Sequence, residues 1–208
     1  MRRESLKPLV TGTTTVGLVA RDAVVLAADK RATAGHMIAS RRVKKIVKVT
    51  DYAAITLAGL VADAQVLADI LSLEAKRYEL ETGARMSIKG MATLLSTILF
   101  SYKWFPFLVQ IIVGGYDVKS RLYILDPFGG VTEELFAATG SGSPIAYGVL
   151  EEHYRNDMNL EEAIKLAVSA VRSAVMRDSA SGDGVDVAVI TKNGYDEKFI
   201  PFSSLLQL

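Results

Sequence analysis

The chain has 208 residues, 24 Lys+Arg against 23 Asp+Glu, a formal net charge of +1 and a hydrophobic share of 50%. That is material for one sizeable core in one domain, and near-neutral charge without runs of one sign argues against nucleic acid or an anionic membrane surface as partner. No cysteine and only two histidines, His36 and His153, exclude a disulfide framework, a thiolate metal site, a cysteine nucleophile and a histidine-rich metal centre.

Met1 to Gly12 carries basic residues but no apolar core segment, so it reads as a short polar leader and not as a secretory signal. Between Thr13 and Thr50, runs of Val, Thr, Ile and Ala broken at Arg21-Asp22 and Ala34-Gly35 predict consecutive short strands, and Ala53 to Ala58 adds another. Leu60, Ala64, Leu67, Leu71, Ala75 and Tyr78 then step by three or four, the period of an amphipathic helix ending near Thr82-Gly83. Ser87 is the expected N-cap of a second helix running to Tyr102. The apolar stretch Met91 to Gly114 is interrupted by Ser101, Lys103 and Pro106, which favours a buried helix followed by a strand over a membrane span. With neither span nor signal, a cytoplasmic location is expected.

Strands resume at Leu108 to Gly115, Arg121 to Asp126 and Val131 to Ala138, a predicted meander with turns at Asp117 to Ser120 and Pro127 to Gly130. Helices are predicted from Pro144 to Tyr154 and from Asn159 to Arg177, and the last strands, Val185 to Thr191 and Tyr195 to Ile200, are joined at Asn193-Gly194. Strands, two helices, strands, two helices, strands is a segregated order, which favours stacked antiparallel sheets covered by helices over a doubly wound parallel sheet.

Most site signatures are missing. No phosphate-binding glycine loop, H-E-x-x-H or G-x-S-x-G elbow occurs, and Asp183 to Asp186 lacks the ligand spacing of a calcium loop. Neither a metal nor a cofactor is expected. What stands out is Gly12-Thr13-Thr14-Thr15-Val16-Gly17 directly after the leader. Cleavage of the Gly12–Thr13 bond would give Thr13 a hydroxyl nucleophile and a free α-amine, whose reference pKa of about 7.7 to 8.0 lets it act as its own general base. A threonine-rich edge strand is the structural alternative. Val43, Lys45 and Val47 fall on one face of an extended segment, so Lys45 is an ammonium between apolar neighbours, with Asp29 as its candidate counter-charge. A surface strand with a lysine reaching to solvent is the other reading. Gly140 to Ser143 ahead of Pro144 also reads as a helix start with serine as N-cap, and Asp178 to Gly182 as the polar loop that ends a helix.

Taken together, Gly-Thr-Thr-Thr-Val-Gly at 12 to 17, Ala-Ala-Asp-Lys-Arg-Ala-Thr at 27 to 33, Ala-Gly-Leu-Val-Ala-Asp-Ala-Gln at 58 to 65, Thr-Gly-Ser-Gly-Ser at 139 to 143 and Arg-Asp-Ser-Ala-Ser-Gly at 177 to 182 resemble the proteasome β subunit of the archaeal type. The resemblance implies an α+β fold, a four-layer αββα sandwich of two antiparallel sheets flanked by helices, known as the N-terminal nucleophile hydrolase fold. It implies a threonine endopeptidase in which residues 1 to 12 are a propeptide removed by autocatalysis at Gly12–Thr13. Thr13 is then the nucleophile, Lys45 the ammonium that lowers its pKa, and Asp29 the partner of Lys45. Ser141, Asp178 and Ser181 form the surrounding hydrogen-bond network, and the Gly59 N–H is the oxyanion donor.

The substrate-binding positions implied are Ala32, Thr33, Val43, Val47, Leu57 and Val61. Since none is charged, cleavage after large hydrophobic residues is expected. The implied partners are two stacked homo-heptameric β rings, proteasome α subunits, an ATPase unfoldase and unfolded protein substrates, without nucleic acid, membrane or cofactor. A non-catalytic or processing-dependent structural β subunit of the same barrel is the alternative reading.

Overall fold

A computed structural model describes residues 12–205 of the chain. The sequence-predicted leader therefore lies outside the described residues except for Gly12. Period-two alternation in the first strands decides the layering. In β2 (Ala23–Asp29), Val25 and Ala27 join one apolar cluster while Val24, Leu26 and Ala28 join another, so both faces of this strand are covered. β1 (Thr15–Ala20) pairs with β2 antiparallel, Thr15 opposite Ala28 and Ala20 opposite Ala23. After the two-stranded ribbon of β3 (Ala32–Ala34) and β4 (Met37–Ser40), β5 (Ile46–Thr50) and β6 (Ala53–Gly59) begin a second sheet.

Helix α1 (Val61–Thr82) runs on from β6 and stops where Gly83, at φ +69°, donates its N–H to the Glu79 carbonyl. Helix α2 (Ile88–Ser101) starts at Ser87, whose hydroxyl accepts from the Gly90 N–H. Leu67, Leu71, Met91 and Leu95 of the two helices cover Ile55, Ile111 and Leu125 of the second sheet.

The expected meander holds from β7 (Val109–Tyr116) and β8 (Ser120–Leu125) into the first half of the third predicted strand, and then fails. The predicted strand Val131 to Ala138 is two strands, β9 (Val131–Glu133) and β10 (Phe136–Thr139), which belong to different sheets. The Glu134 N–H bonds the Leu122 carbonyl of the second sheet, and the next carbonyl, Leu135, accepts from the Val19 N–H of the first. The chain thus changes sheets within one peptide unit. Nothing in an apolar run marks such a crossing, because both halves face a core.

Helix α3 (Ser143–His153) also departs from its predicted start. Gly142 is its N-cap, with no side-chain cap bond, and Ser143 is already helical. Helix α4 (Leu160–Val175), predicted to start at Asn159, is instead capped by it: the Asn159 side chain accepts from the Glu162 N–H while the Glu162 carboxylate accepts from the Asn159 N–H. β11 (Val185–Thr191) and β12 (Gly194–Ile200) close the first sheet, and a short α5 (Phe202–Leu205), absent from the sequence reading, follows. The hairpin turn is Lys192-Asn193, not Asn193-Gly194: Gly194 pairs with Thr191 and takes the positive φ, +125°.

The result is a sheet of order β10-β1-β2-β11-β12 against a sheet of order β5-β6-β7-β8-β9, with α3 and α4 on the first and α1 and α2 on the second. This is the four-layer αββα sandwich. Between the sheets lie Val24, Leu26, Ile46, Ile112, Leu122, Ala188 and Ile190, all fully buried.

Candidate active site

The ends of β1, β2, β6 and β10 converge at one edge of the sandwich. Apart from Asp186, which pairs with Lys30, and the tyrosines Tyr52 and Tyr123, the buried polar side chains among the described residues belong to this region: Thr13, Thr14, Thr15, Asp29, Thr33, Lys45, Thr56, Thr139 and Ser181. Buried polar groups persist where they satisfy one another, and here they do.

Asp29, at the end of β2 and fully buried, accepts four hydrogen bonds. Its Oδ1 takes the Thr14 N–H at 2.8 Å and Lys45 Nζ at 2.7 Å; its Oδ2 takes the Arg31 N–H at 3.0 Å and the Gly182 N–H at 2.9 Å. One carboxylate thereby ties the strand that carries Thr13 to the loop that carries Ser181. Lys45 is 4% exposed and also donates to the Arg31 carbonyl at 2.5 Å. Burial pushes its ammonium below the usual lysine range, and the charge of Asp29 opposes that shift without cancelling it. Lys45 lies one residue before β5, so the regular ladder expected around it begins only at Ile46. Val43, Lys45 and Val47 all line one cavity as expected, but Lys44 lines it too, so the strict alternation does not hold ahead of β5.

On the other side of Thr13, the Ser141 hydroxyl accepts from the Thr13 N–H at 3.1 Å and donates to Asp178 Oδ2 at 2.6 Å. Ser181 donates to the same oxygen at 2.7 Å, which leaves the Thr14 hydroxyl to donate to Ser181 at 2.7 Å. Gly140, ahead of Ser141, is held by the Gln110 side-chain carbonyl at 3.1 Å. The Thr13 hydroxyl itself donates to the Gly12 carbonyl at 2.7 Å, and the Gly12 N–H is bound by Thr33 Oγ1 at 3.0 Å. Gly12 has no room for a side chain: a Cβ there would lie 1.7 Å from the Ala180 Cβ.

Thr13 opens onto a cavity of about 240 Å³ whose walls include Ala32, Val43, Val47, Leu57, Val61 and Gly59. Gly59 sits at φ +123°, and a Cβ there would meet the Leu108 carbonyl oxygen at 2.0 Å, so this wall is shaped for glycine. All the sequence-predicted site residues therefore gather around Thr13, except that Thr33 holds Gly12 and does not line the cavity. The structure adds Lys44, Ala64 and Gln65 to the walls. Gln65 was legible, since it lies one helical turn beyond Val61; the Gln110 contact had no sequence signal.

A family model described as proteasome subunit matches residues 9–190. The chain belongs to the proteasome family. Within it the chain sides with archaeal β subunits. It is 63% identical to proteasome subunit beta 2 of Aeropyrum pernix over 94% of this chain and 90% of the relative. It is 55% identical to proteasome subunit beta 2 of Ignicoccus hospitalis over 99% and 97%, and 54% identical to proteasome subunit beta of Methanocaldococcus fervens over 89% and 84%. This proteasome β-type chain has no helix, among the described residues, that is long and apolar enough to cross a membrane.

Proposed function

We propose that this chain is a threonine endopeptidase subunit of a proteasome core particle, with Thr13 as the nucleophile once residues 1 to 12 have been removed. The observation that carries the reading is the position of Thr13: its hydroxyl lies at the mouth of an apolar cavity shared with Lys45, and its nitrogen lies on a Ser141–Asp178 pair. The same hydroxyl donates to the Gly12 carbonyl oxygen at 2.7 Å, which keeps it beside the peptide group that self-cleavage would break.

In self-cleavage Thr13 Oγ1 bonds to the Gly12 carbonyl carbon, the C–N bond to Thr13 breaks, and the nitrogen takes up a proton. The ester that results is hydrolysed by water. Before this step the nitrogen is an amide and cannot serve as base, so a water takes that role. Afterwards the free α-amine accepts the hydroxyl proton as Thr13 attacks a substrate carbonyl. The Lys45 charge lowers the cost of forming the alkoxide, and Asp29 holds Lys45 in place. Ser141, Asp178 and Ser181 orient the amine. The Gly59 N–H is assigned to the developing oxyanion, a contribution of about 3 to 4 kcal/mol in comparable hydrolases.

The cavity is lined mainly by Ala32, Val43, Val47, Leu57 and Val61; it holds no carboxylate, and its two cations, Lys44 and Lys45, are already paired with Glu197 and Asp29, so cleavage follows large hydrophobic residues. As in the family, the working assembly is two stacked heptameric β rings between α rings in the cytoplasm, fed with unfolded chains by an ATPase unfoldase. The second reading is a β subunit whose processing depends on another β type; relatives named proteasome subunit beta 2 raise the question of a second β type without bearing on processing.

The deciding experiment is the intact mass of the chain after assembly with its α partner, beside hydrolysis of peptides ending in Leu, Tyr, Arg or Glu. Loss of Met1 to Gly12 in the parent but not in Thr13→Ala, with cleavage after Leu and Tyr, supports the endopeptidase. Retention of the leader in a complete particle moves the assignment to the structural subunit.

A further inference from the structure

The apolar layer between the two sheets changes character two residues inward from the site. Thr15 Oγ1 lies 2.6 Å from Thr139 Oγ1 and 2.8 Å from Thr56 Oγ1, and all three residues are at most 1% exposed. Thr15 and Thr139 are cross-strand partners of β1 and β10 in the first sheet; Thr56 stands on β6 in the second. With one proton per hydroxyl, Thr15 donates to at most one neighbour and accepts from the other or from both. The contact is a buried hydrogen bond that crosses from sheet to sheet. It is reached where the sheets come unusually close, since a Cβ on Gly17, the next residue of β1 on that face, would lie 2.8 Å from Leu122 Cδ1.

Each of these strands delivers a site residue a few positions on. Thr13 precedes Thr15 by two, Ser141 follows Thr139 by two, and Gly59 follows Thr56 by three. Around the cluster the layer is Ile46, Ala54, Ala28, Ile112 and Ala137, whose contacts are non-directional and tolerate small slides of one sheet over the other. Directed hydrogen bonds do not.

We infer that the Thr15–Thr56–Thr139 hydroxyl cluster is a positioning element that sets where Thr13 stands relative to Ser141 and Gly59, with Thr56 as its link to the second sheet. The inference rests on the proposed peptidase reading for its kinetic consequence, though not for its structural one.

The test uses the assembled particle and Thr56→Val, which keeps the shape and removes the hydroxyl, with Thr56→Ser as rescue. Misplacing reacting groups by a fraction of an ångström costs turnover, so Thr56→Val lowers kcat toward a Leu-ending peptide by about tenfold or more with little change in KM. Thr56→Ser restores it. Val24→Ala, at the opposite end of the same layer, serves as the purely structural comparison: its melting temperature falls and its kcat stays.

Amide exchange is read in parallel. Thr56→Val speeds exchange at the Thr14 and Gly142 N–H groups, while Val24→Ala does not. An unchanged kcat and unchanged exchange in Thr56→Val, or failure of Thr56→Ser to restore them, overturns the inference. Cleavage by Thr13→Ala would instead overturn the peptidase reading, and the exchange result would still decide the positioning role.

Discussion

The two ends of the inter-sheet layer are built from opposite materials. Toward the β1–β2 turn it is Val24, Leu122, Ala137 and Ile190, held by apolar burial alone. Toward Thr13 it becomes a chain of threonine hydroxyls and then a buried Lys45–Asp29 pair with its backbone donors. The apolar end supplies stability and asks little of exact geometry. The polar end supplies little net stability, because desolvating a charge pair consumes most of what the pair returns, and it fixes positions to within hydrogen-bond tolerance. Substitutions at the two ends should therefore separate activity from stability.

The largest effect belongs to the polar end. Thr13→Ala removes the nucleophile while leaving a buried methyl-sized side chain, so peptidase activity falls to background and the melting temperature hardly moves; a particle that still cleaved would break the comparison. Lys45→Met should do both kinds of damage. It strands Asp29 without its cation, a loss of about 3 to 5 kcal/mol by denaturant titration, and abolishes turnover. Leu122→Ala, by contrast, should cost about 2 to 5 kcal/mol through the cavity it leaves, with kcat of the folded particle unchanged.

The pH dependence sharpens the same contrast. Burial lowers the Lys45 pKa in the folded chain, while the unfolded chain keeps the ordinary lysine value. Between those two values the unfolded state binds the extra proton, so this group makes stability rise with pH across that window and contributes no slope above it. Stability measured from neutral to alkaline pH should show the rise in the parent and lose it in Lys45→Met; equal slopes would argue against the lowered pKa. The smallest effect is Asn159→Ala at the α4 cap, far from both ends of the layer, about 0.5 to 2 kcal/mol with activity intact.

Much of this architecture is legible along the chain. Period-three-to-four spacing marked α1 and α4, and the cap residue Ser87 marked where α2 begins. Each depends on neighbours within one or two turns, which a sequence displays directly. The residues around Thr13 were legible through their motif company and the Val43, Lys45, Val47 spacing. What escaped were events with a distant partner. The split of residues 131 to 138 between two sheets depends on Leu122 and Val19, and the start of α3 at Gly142 on packing against Thr14.

By itself, then, the sequence determined the order of the elements, the composition of each buried face and the set of residue types able to perform amine-assisted threonine chemistry. Local periodicity and motif spacing are properties of neighbouring positions. Only the tertiary structure decided that Thr15, Thr56 and Thr139 share hydroxyl contacts, that Gln110 steadies Gly140 and that Thr33 holds Gly12. Those pairings join residues that chain distance leaves independent, and they exist because two twisted sheets, pressed together by apolar burial, bring four strand ends to one edge.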